Sequence, residues 1–414
     1  MQRPIHKHAD EDGHFRRPAS AFRNFISDEP GSRFPPEKDR YVLYVNYGCP
    51  WAHRTILVRA LKSLEPIIEL VVTDFDLTEN GWLFTGRNGS PTAEPLYGFT
   101  NLKQLYLKAD PNYKGRYTVP TLWDKKQHTI VNNESSEIIR MFYTTFDSFL
   151  DPQHREVNKL GGGFYPEGLR SEIDAMNDWV YNTINNGVYK VGFATTQEAY
   201  DANIYPLFSS LDRIEKHLAN PAHQPFLFGE HLTEADVRLY TTMIRFDAAY
   251  VTIFQCNLRD IRHGYPRISR WLRNIYWDQT DRTNNGVFKK TSFFEIYKYG
   301  YYKAKHRQLY GGSDLGWNVV LPRGPVPDIE PLTDEEEAQI SGGTVSSPTN
   351  GAPTGIIAGM SINEAAAADL GDEDMSPKQR LERATTHGDE NKKWYKAAKK
   401  AEKQAGAANM HLAL

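Results

Sequence analysis

The chain reads as a small α/β domain with a mixed sheet, followed by an all-helical domain and a low-complexity tail. Three observations predict this. Residues 41–73 run strand, helix, strand, with Gly48-Cys49-Pro50 at the first turn. A Val119-Pro120 step introduces a short hairpin and then a helix, and a βαβ start closed by a hairpin and a helix makes one layered unit. From 151 to 310 the apolar residues recur at helical spacing with few strand signals.

Each element has its own reason. Residues 1–40 are polar and punctuated by Pro4, Pro18, Pro30, Pro35 and Pro36, which predicts an extended arm. Phe15, Phe22, Phe25 and Ile26 call for that arm to pack rather than float. Residues 41–150 form the α/β domain, with strands at 41–47, 67–73, 119–124 and 128–131 and helices at 50–64 and 134–146. The stretch 74–115 is too long for an ordinary connection and predicts a helix-containing excursion with functional weight. Residues 151–314 form the helical domain, with helices at 167–185, 196–219, 233–254, 265–277 and 292–307. Thr233-Glu234-Ala235-Asp236 has the form of a capping box, so Thr233 and Asp236 read as structural. From 315 to 414 the composition turns to Pro, Ser, Gly and charge, and disorder is expected, with a helix around 391–404.

Bulk properties narrow the function classes. A chain of 414 residues exceeds one typical core. A net charge of −3 leaves no basic footprint for nucleic acid. No apolar stretch reaches the roughly 20 residues of a membrane helix. Only Cys49 and Cys256 are present, which argues against a disulfide-stapled protein and for a reducing compartment. The first residues carry no apolar signal core, so a cytoplasmic location is expected.

Cys49 is the chemical focus. It follows a strand and a glycine and precedes Pro50 at a helix start. Helix N-termini offer unpaired N–H groups and partial positive charge, which favour a thiolate and therefore a nucleophile. The alternative is a buried cysteine acting as a small hydrophobe. His53, one turn on, either lowers the thiol as a cation or serves a domain interface. Glu134 and Ser135 open a helix; they either cap it or hold the carboxylate and ammonium of a ligand.

Cys49-Pro50-Trp51-Ala52-His53-Arg54, Gly81-Trp82, Gly115-Arg116-Tyr117-Thr118-Val119-Pro120, Trp123-Asp124, Asn133-Glu134-Ser135-Ser136 and Asn185-Asn186-Gly187-Val188-Tyr189-Lys190, in this order, resemble the glutathionyl-hydroquinone reductases. These are the Xi-class glutathione transferases, relatives of the Omega class, and the resemblance covers about residues 15–310. It implies a thioredoxin-like domain plus an all-α domain, the glutathione transferase fold. It implies a cis Pro120, where a trans proline at an edge strand is the ordinary alternative. It implies glutathione held by Trp82, Arg116, Val119, Glu134 and Ser135. Trp51 becomes a cleft wall, and Tyr189 and Tyr301 become the phenols beside a quinol. The segment Tyr299-Gly300-Tyr301-Tyr302 departs from the family pattern, in which His often precedes the tyrosine, so Tyr302 stays a candidate.

A dithiol oxidoreductase needs a second cysteine three positions on, and that position is Ala52. The expectation is therefore a monothiol enzyme. Cys49 takes glutathione from an S-glutathionyl-hydroquinone as a mixed disulfide, and a second glutathione releases it as oxidised glutathione. Glutathione is a cosubstrate; no metal or tightly bound cofactor is expected, and the resemblance implies a homodimer. The alternatives are an Omega-like thioltransferase or dehydroascorbate reductase, and a non-catalytic binding protein on the same fold.

Overall fold

The computed structural model describes residues 8–75, 77–309 and 321–340. In the first half, β1 (Tyr41–Val45), α1 (Pro50–Leu61) and β2 (Glu69–Val72) form the βαβ unit. A small hairpin follows, β3 (Leu77–Thr78) with β4 (Gly81–Trp82), and then α2 (Leu102–Ala109). Strands β5 (Thr121–Asp124) and β6 (Thr129–Asn132) and helix α3 (Ser135–Thr144) complete the domain. The main sheet runs β2-β1-β5-β6, with β1 parallel to β2 and antiparallel to β5. All five residues of β1 are buried, the signature of a strand covered on both faces.

The expected excursion at 74–115 is the β3–β4 hairpin plus α2, which starts in a capping box between Asn101 and Gln104. The arm continues the sheet edge. Asn24 N–H donates to the Val131 carbonyl at 3.0 Å and Asn133 N–H to the Phe22 carbonyl at 3.0 Å. Phe15 and Ile26 are buried as expected, whereas Phe25 stays half exposed.

The second half is helical: α4 (Arg170–Val180), α5 (Gly187–Gly192), α6 (Gln197–His217), α7 (Glu234–Arg245), α8 (Ile261–Gly264), α9 (Pro266–Trp277), α10 (Val287–Lys290) and α11 (Phe294–Leu309). Two of the predicted single helices are composite. Residues Tyr181–Asn185, after α4, and Phe246–Tyr250, after α7, wind as π-helical turns. Such turns insert a residue and re-aim the next stretch of chain, often at functional sites. Cys256 lies in the loop past this second turn and is fully buried. The capping box at α7 is structural, as read: Asp236 accepts from Thr233 N–H at 3.0 Å and from its hydroxyl at 2.9 Å. Trp271 N–H also donates to Asp236, at 3.0 Å.

Helix α1 packs between α3 and α7. It is therefore buried nearly all round, and its polar His53 and Arg54 sit in the seam between the two halves. A helix so placed carries no clean apolar stripe.

Residues 321–340 depart from the expectation of disorder after 315. They include α12 (Asp334–Ile340) and lie against the helical domain. Trp277 N–H donates to the Glu330 carbonyl at 2.7 Å, Arg273 pairs with Glu336 at 2.6 Å, and Lys298 pairs with Asp328 at 2.7 Å. Composition misleads here because the segment is held by complementary polar groups rather than by apolar area. The rest of the expected tail, including the helix at 391–404, lies outside the described residues. Among the described residues no helix is long and apolar enough to cross a membrane.

Candidate active site

The β1–α1 turn presents Cys49. Asn46 organises it: its side-chain oxygen accepts from Gly48 N–H at 2.9 Å, and its amide N–H donates to the Asp74 carbonyl at 2.8 Å. Cys49 N–H donates to the Asn46 carbonyl at 3.1 Å. Cys49 is the extended N-cap residue of α1, with Pro50 at the first helical position. Its half-buried thiol donates to the Val119 carbonyl at 3.5 Å, and the Val119–Pro120 bond is cis, as the resemblance implies.

Burial pushes the Cys49 thiol above its ordinary value. The N–H groups of Ala52 and Trp51 and the guanidiniums of Arg245 and Arg17 act in the opposite direction. The lowering expected from a helix N-terminus is present but is outweighed by desolvation, which penalises the charged form. His53 adds nothing cationic. Burial, with Arg245 alongside, holds its pKa well below the usual histidine range. Its Nδ1 accepts from Arg245 at 3.0 Å, which leaves the proton on Nε2, 2.9 Å from the Thr291 hydroxyl.

Arg245 carries positive charge from the helical domain to this turn. It donates to the carbonyls of Gly48 and Tyr47, both at 3.2 Å, and to Thr241 at 2.7 Å. Its guanidinium lies 3.8 Å from the Tyr297 ring centroid. It is fully buried, with no carboxylate paired to it among the described residues.

Opposite the thiol stand three phenols. Tyr189 and Tyr301 hydroxyls are 2.9 Å apart, and Tyr301 and Tyr250 hydroxyls 2.7 Å apart. Tyr301, not Tyr302, makes these hydrogen bonds and lines the cavity. Burial raises all three well above the usual tyrosine value, so they stay neutral phenols with a proton to give. The π-helical turns lie directly before α5, which carries Tyr189, and at Tyr250 itself. Gly192 allows the close packing behind them: a Cβ there would run into the Phe254 ring.

These groups meet in a cavity of about 190 Å³. Cys49, Trp82, Arg116, Val119, Tyr189 and Tyr301 all line it, and so does Trp51. Glu134 and Ser135 are not among its walls. Glu134 is the N-cap residue of α3 and accepts from Ser136 N–H at 3.2 Å, from Ser136 hydroxyl at 2.9 Å and from the arm's Ser20 hydroxyl at 3.0 Å. Burial works to raise Glu134, but these hydrogen bonds and Arg54 overcome it, and its carboxyl ends below the usual range, ionised at neutral pH. Arg17, Arg245 and Tyr250 escape a reading of the sequence. Arg17 sits on the arm, and Arg245 and Tyr250 lie on predicted helices without any motif, so no local signal singles them out. Among the described residues no group of three or more His, Cys, Asp or Glu is placed to hold a metal ion.

Comparison with known proteins agrees with this architecture. Residues 48–145 match the glutathione S-transferase N-terminal domain and residues 197–274 the C-terminal domain. The chain is 49% identical over 322 residues to a Schizosaccharomyces pombe protein named glutathione S-transferase omega-like 2, covering 78% of this chain and 96% of that one. It is 50% identical over 270 residues to the Escherichia coli glutathionyl-hydroquinone reductase YqjG, covering 64% of this chain and 79% of that one. The crystal structure of the Saccharomyces cerevisiae Xi glutathione transferase ECM4 in complex with glutathione superimposes with a TM-score of 0.69 at 38% identity, over 78% of this chain and 100% of that one. The chain belongs to the glutathione S-transferase family, in its Xi class.

Proposed function

We propose that this protein reduces S-glutathionyl-hydroquinones to hydroquinones, with glutathione as cosubstrate. One observation carries the reading: a single thiol faces hydrogen-bonded neutral phenols across one cavity, and the other cysteine, Cys256, does not line it. The name of the Escherichia coli relative and the glutathione held by the yeast structure support it.

Cys49 attacks the sulfur of the adduct as a thiolate. The carbon–sulfur bond breaks, a sulfur–sulfur bond forms, and the ring carbon leaves with the electron pair and takes a proton. The ring is thereby reduced and the sulfur oxidised. Tyr189 and Tyr301, held neutral by burial, hydrogen-bond the quinol hydroxyls and supply the proton. The Trp51 and Ala52 N–H groups and Arg245 carry the thiolate charge as it forms. A second glutathione thiolate then attacks the glutathione sulfur of the mixed disulfide, and Cys49 leaves as a thiolate with oxidised glutathione as product. Cys256 cannot take that second role, because it is fully buried and burial raises its thiol. Trp82, Arg116 and Val119 hold glutathione from the cavity wall, with the ionised Glu134 and Ser135 for its ammonium and carboxylate end. The same reading carries a cytoplasmic homodimer, which light scattering and cell fractionation test.

Cys49→Ala is expected to abolish reduction of a glutathionyl-hydroquinone while glutathione still binds. Mass spectrometry of the wild-type protein given an adduct with labelled glutathione should find the label on Cys49. Full activity in the variant would remove this cysteine from the mechanism.

A further inference from the structure

Arg16 and Arg17 are neighbours with opposite fates. Arg16 faces solvent and pairs with Asp10 at 2.7 Å and with Asp12 at 2.5 Å. Arg17 turns inward and lines the cavity with Cys49 and the two tyrosines. Its guanidinium carbon lies 4.7 Å from the Trp51 ring centroid, 4.8 Å from Tyr189 and 5.3 Å from Phe15. Its Nε–H donates to Asn186 Oδ1 at 3.0 Å. Among the described residues no carboxylate pairs with it, and its two terminal nitrogens make no hydrogen bond.

The arm is firmly set where it delivers this residue. Thr195 N–H donates to the Gly13 carbonyl at 3.1 Å, and Gly13 has φ +81° with Thr196 only 2.6 Å from where a Cβ would sit. Phe15 is buried, with its ring 6.2 Å from that of Tyr189. Arg17 is therefore a half-buried cation, oriented by stacking and one hydrogen bond, with its planar fork unused. Removing a charge from water is costly unless it is paired, and a guanidinium fork matches a carboxylate bidentately. Trp51 adds a second unused donor, since its indole N–H is buried with no hydrogen-bond partner.

Arg17 also lies over Tyr189, on the side where the quinol ring is read, whereas Arg116 serves glutathione in that same reading. We infer that Arg17 is a specificity-determining residue that selects adducts whose hydroquinone ring carries a carboxylate. This rests on the reductase reading and names its substrate class. The ring carboxylate takes the guanidinium fork while the quinol hydroxyls meet Tyr189 and Tyr301.

The test uses the full chain and two probes, 1,4-dihydroxy-2-naphthoate and neutral 2-methyl-1,4-dihydroxynaphthalene, each kept reduced under anaerobic conditions. Binding is read by tryptophan fluorescence, and turnover is read on the glutathionyl adduct of each probe. The wild-type protein is expected to bind the carboxylate about 10- to 100-fold more tightly, the range for a hydrogen bond to a charged group, with the preference shrinking as salt rises. In the binding readout Arg17→Gln should erase the preference and leave affinity for the neutral probe unchanged, whatever it does to turnover, since Arg17 also acts on the Cys49 thiol; Arg17→Lys should keep part of the preference. Equal affinity for the two probes in the wild-type protein overturns the inference, as does an equal loss of affinity for both in Arg17→Gln. Should Arg17→Gln fail to fold, the wild-type preference and its salt dependence decide the matter. A carboxylate preference with no turnover of either adduct supports the anion subsite and removes the reductase reading instead.

Discussion

The two walls of the cavity are built on different principles. The thiol wall is local: Asn46, Gly48, Cys49 and Pro50 are consecutive or nearly so, and one turn of backbone presents the sulfur. The tyrosine wall is assembled from residues 189 and 301, with 250 behind them, which three separate segments bring within hydrogen-bond reach. Yet the electrostatics invert this picture. The local wall depends on a cation from the other domain, Arg245, whereas burial is the largest cause that keeps the phenols neutral. A motif can thus position a thiol without setting its acidity.

Three sets of variants sharpen or break the contrast. The largest effect is expected from Arg245→Met. It leaves the half-buried carbonyls of Tyr47 and Gly48 without this donor, at up to about 1–3 kcal/mol for each group left unpaired. Thermal melting should record a heavy loss of stability. Iodoacetamide kinetics against pH provide the chemical readout. Because burial raises the wild-type thiol, its alkylation should climb with a midpoint above the ordinary value of about 8.5. The variant's midpoint should lie higher still, and Arg245→Lys should restore part of the difference. A wild-type midpoint below 7 would mean that the N–H groups and guanidiniums outweigh burial.

On the other wall, Tyr189→Phe should lower kcat about 100-fold, the low end for a lost general acid, with little change in glutathione affinity. Tyr250 does not line the cavity and bears on it through the Tyr301 hydroxyl, so Tyr250→Phe should cost less, about tenfold. Equal losses in kcat and glutathione affinity would make these phenols structural.

The smallest effect is a pH dependence at the seam. Buried neutral His53 has a folded pKa depressed well below the unfolded value of about 6.5. Between those two values the unfolded chain binds a proton that the folded chain does not. Stability from this group is therefore complete above pH 6.5 and lost as pH falls, by up to about 1.4 kcal/mol per pH unit. His53→Gln should flatten that limb in melting curves between pH 7 and 5; an unchanged slope would assign the acid sensitivity elsewhere.

Much of this molecule was legible before folding was considered. The βαβ start, the hairpin, the capping box at α7 and the strand–Gly–Cys–Pro turn are short-range patterns. Backbone geometry and hydrogen bonding make such patterns nearly independent of distant residues. The π-helical turns were not legible, since their periodicity differs from an α-helix by one inserted residue. Nor was the packing of 321–340, which depends on Arg273, Lys298 and Trp277 arriving from elsewhere.

By itself, then, the chain determined that a cysteine stands at the strand–helix turn and that no second thiol stands three residues away, because both are matters of residue identity and local turn geometry. Tertiary structure decided the protonation of that thiol, the neutrality of His53, the placing of Tyr301 at the cavity and the entry of Arg17 into it. Those properties arise from desolvation and from charges brought close through space. Neither is a function of neighbours along the sequence.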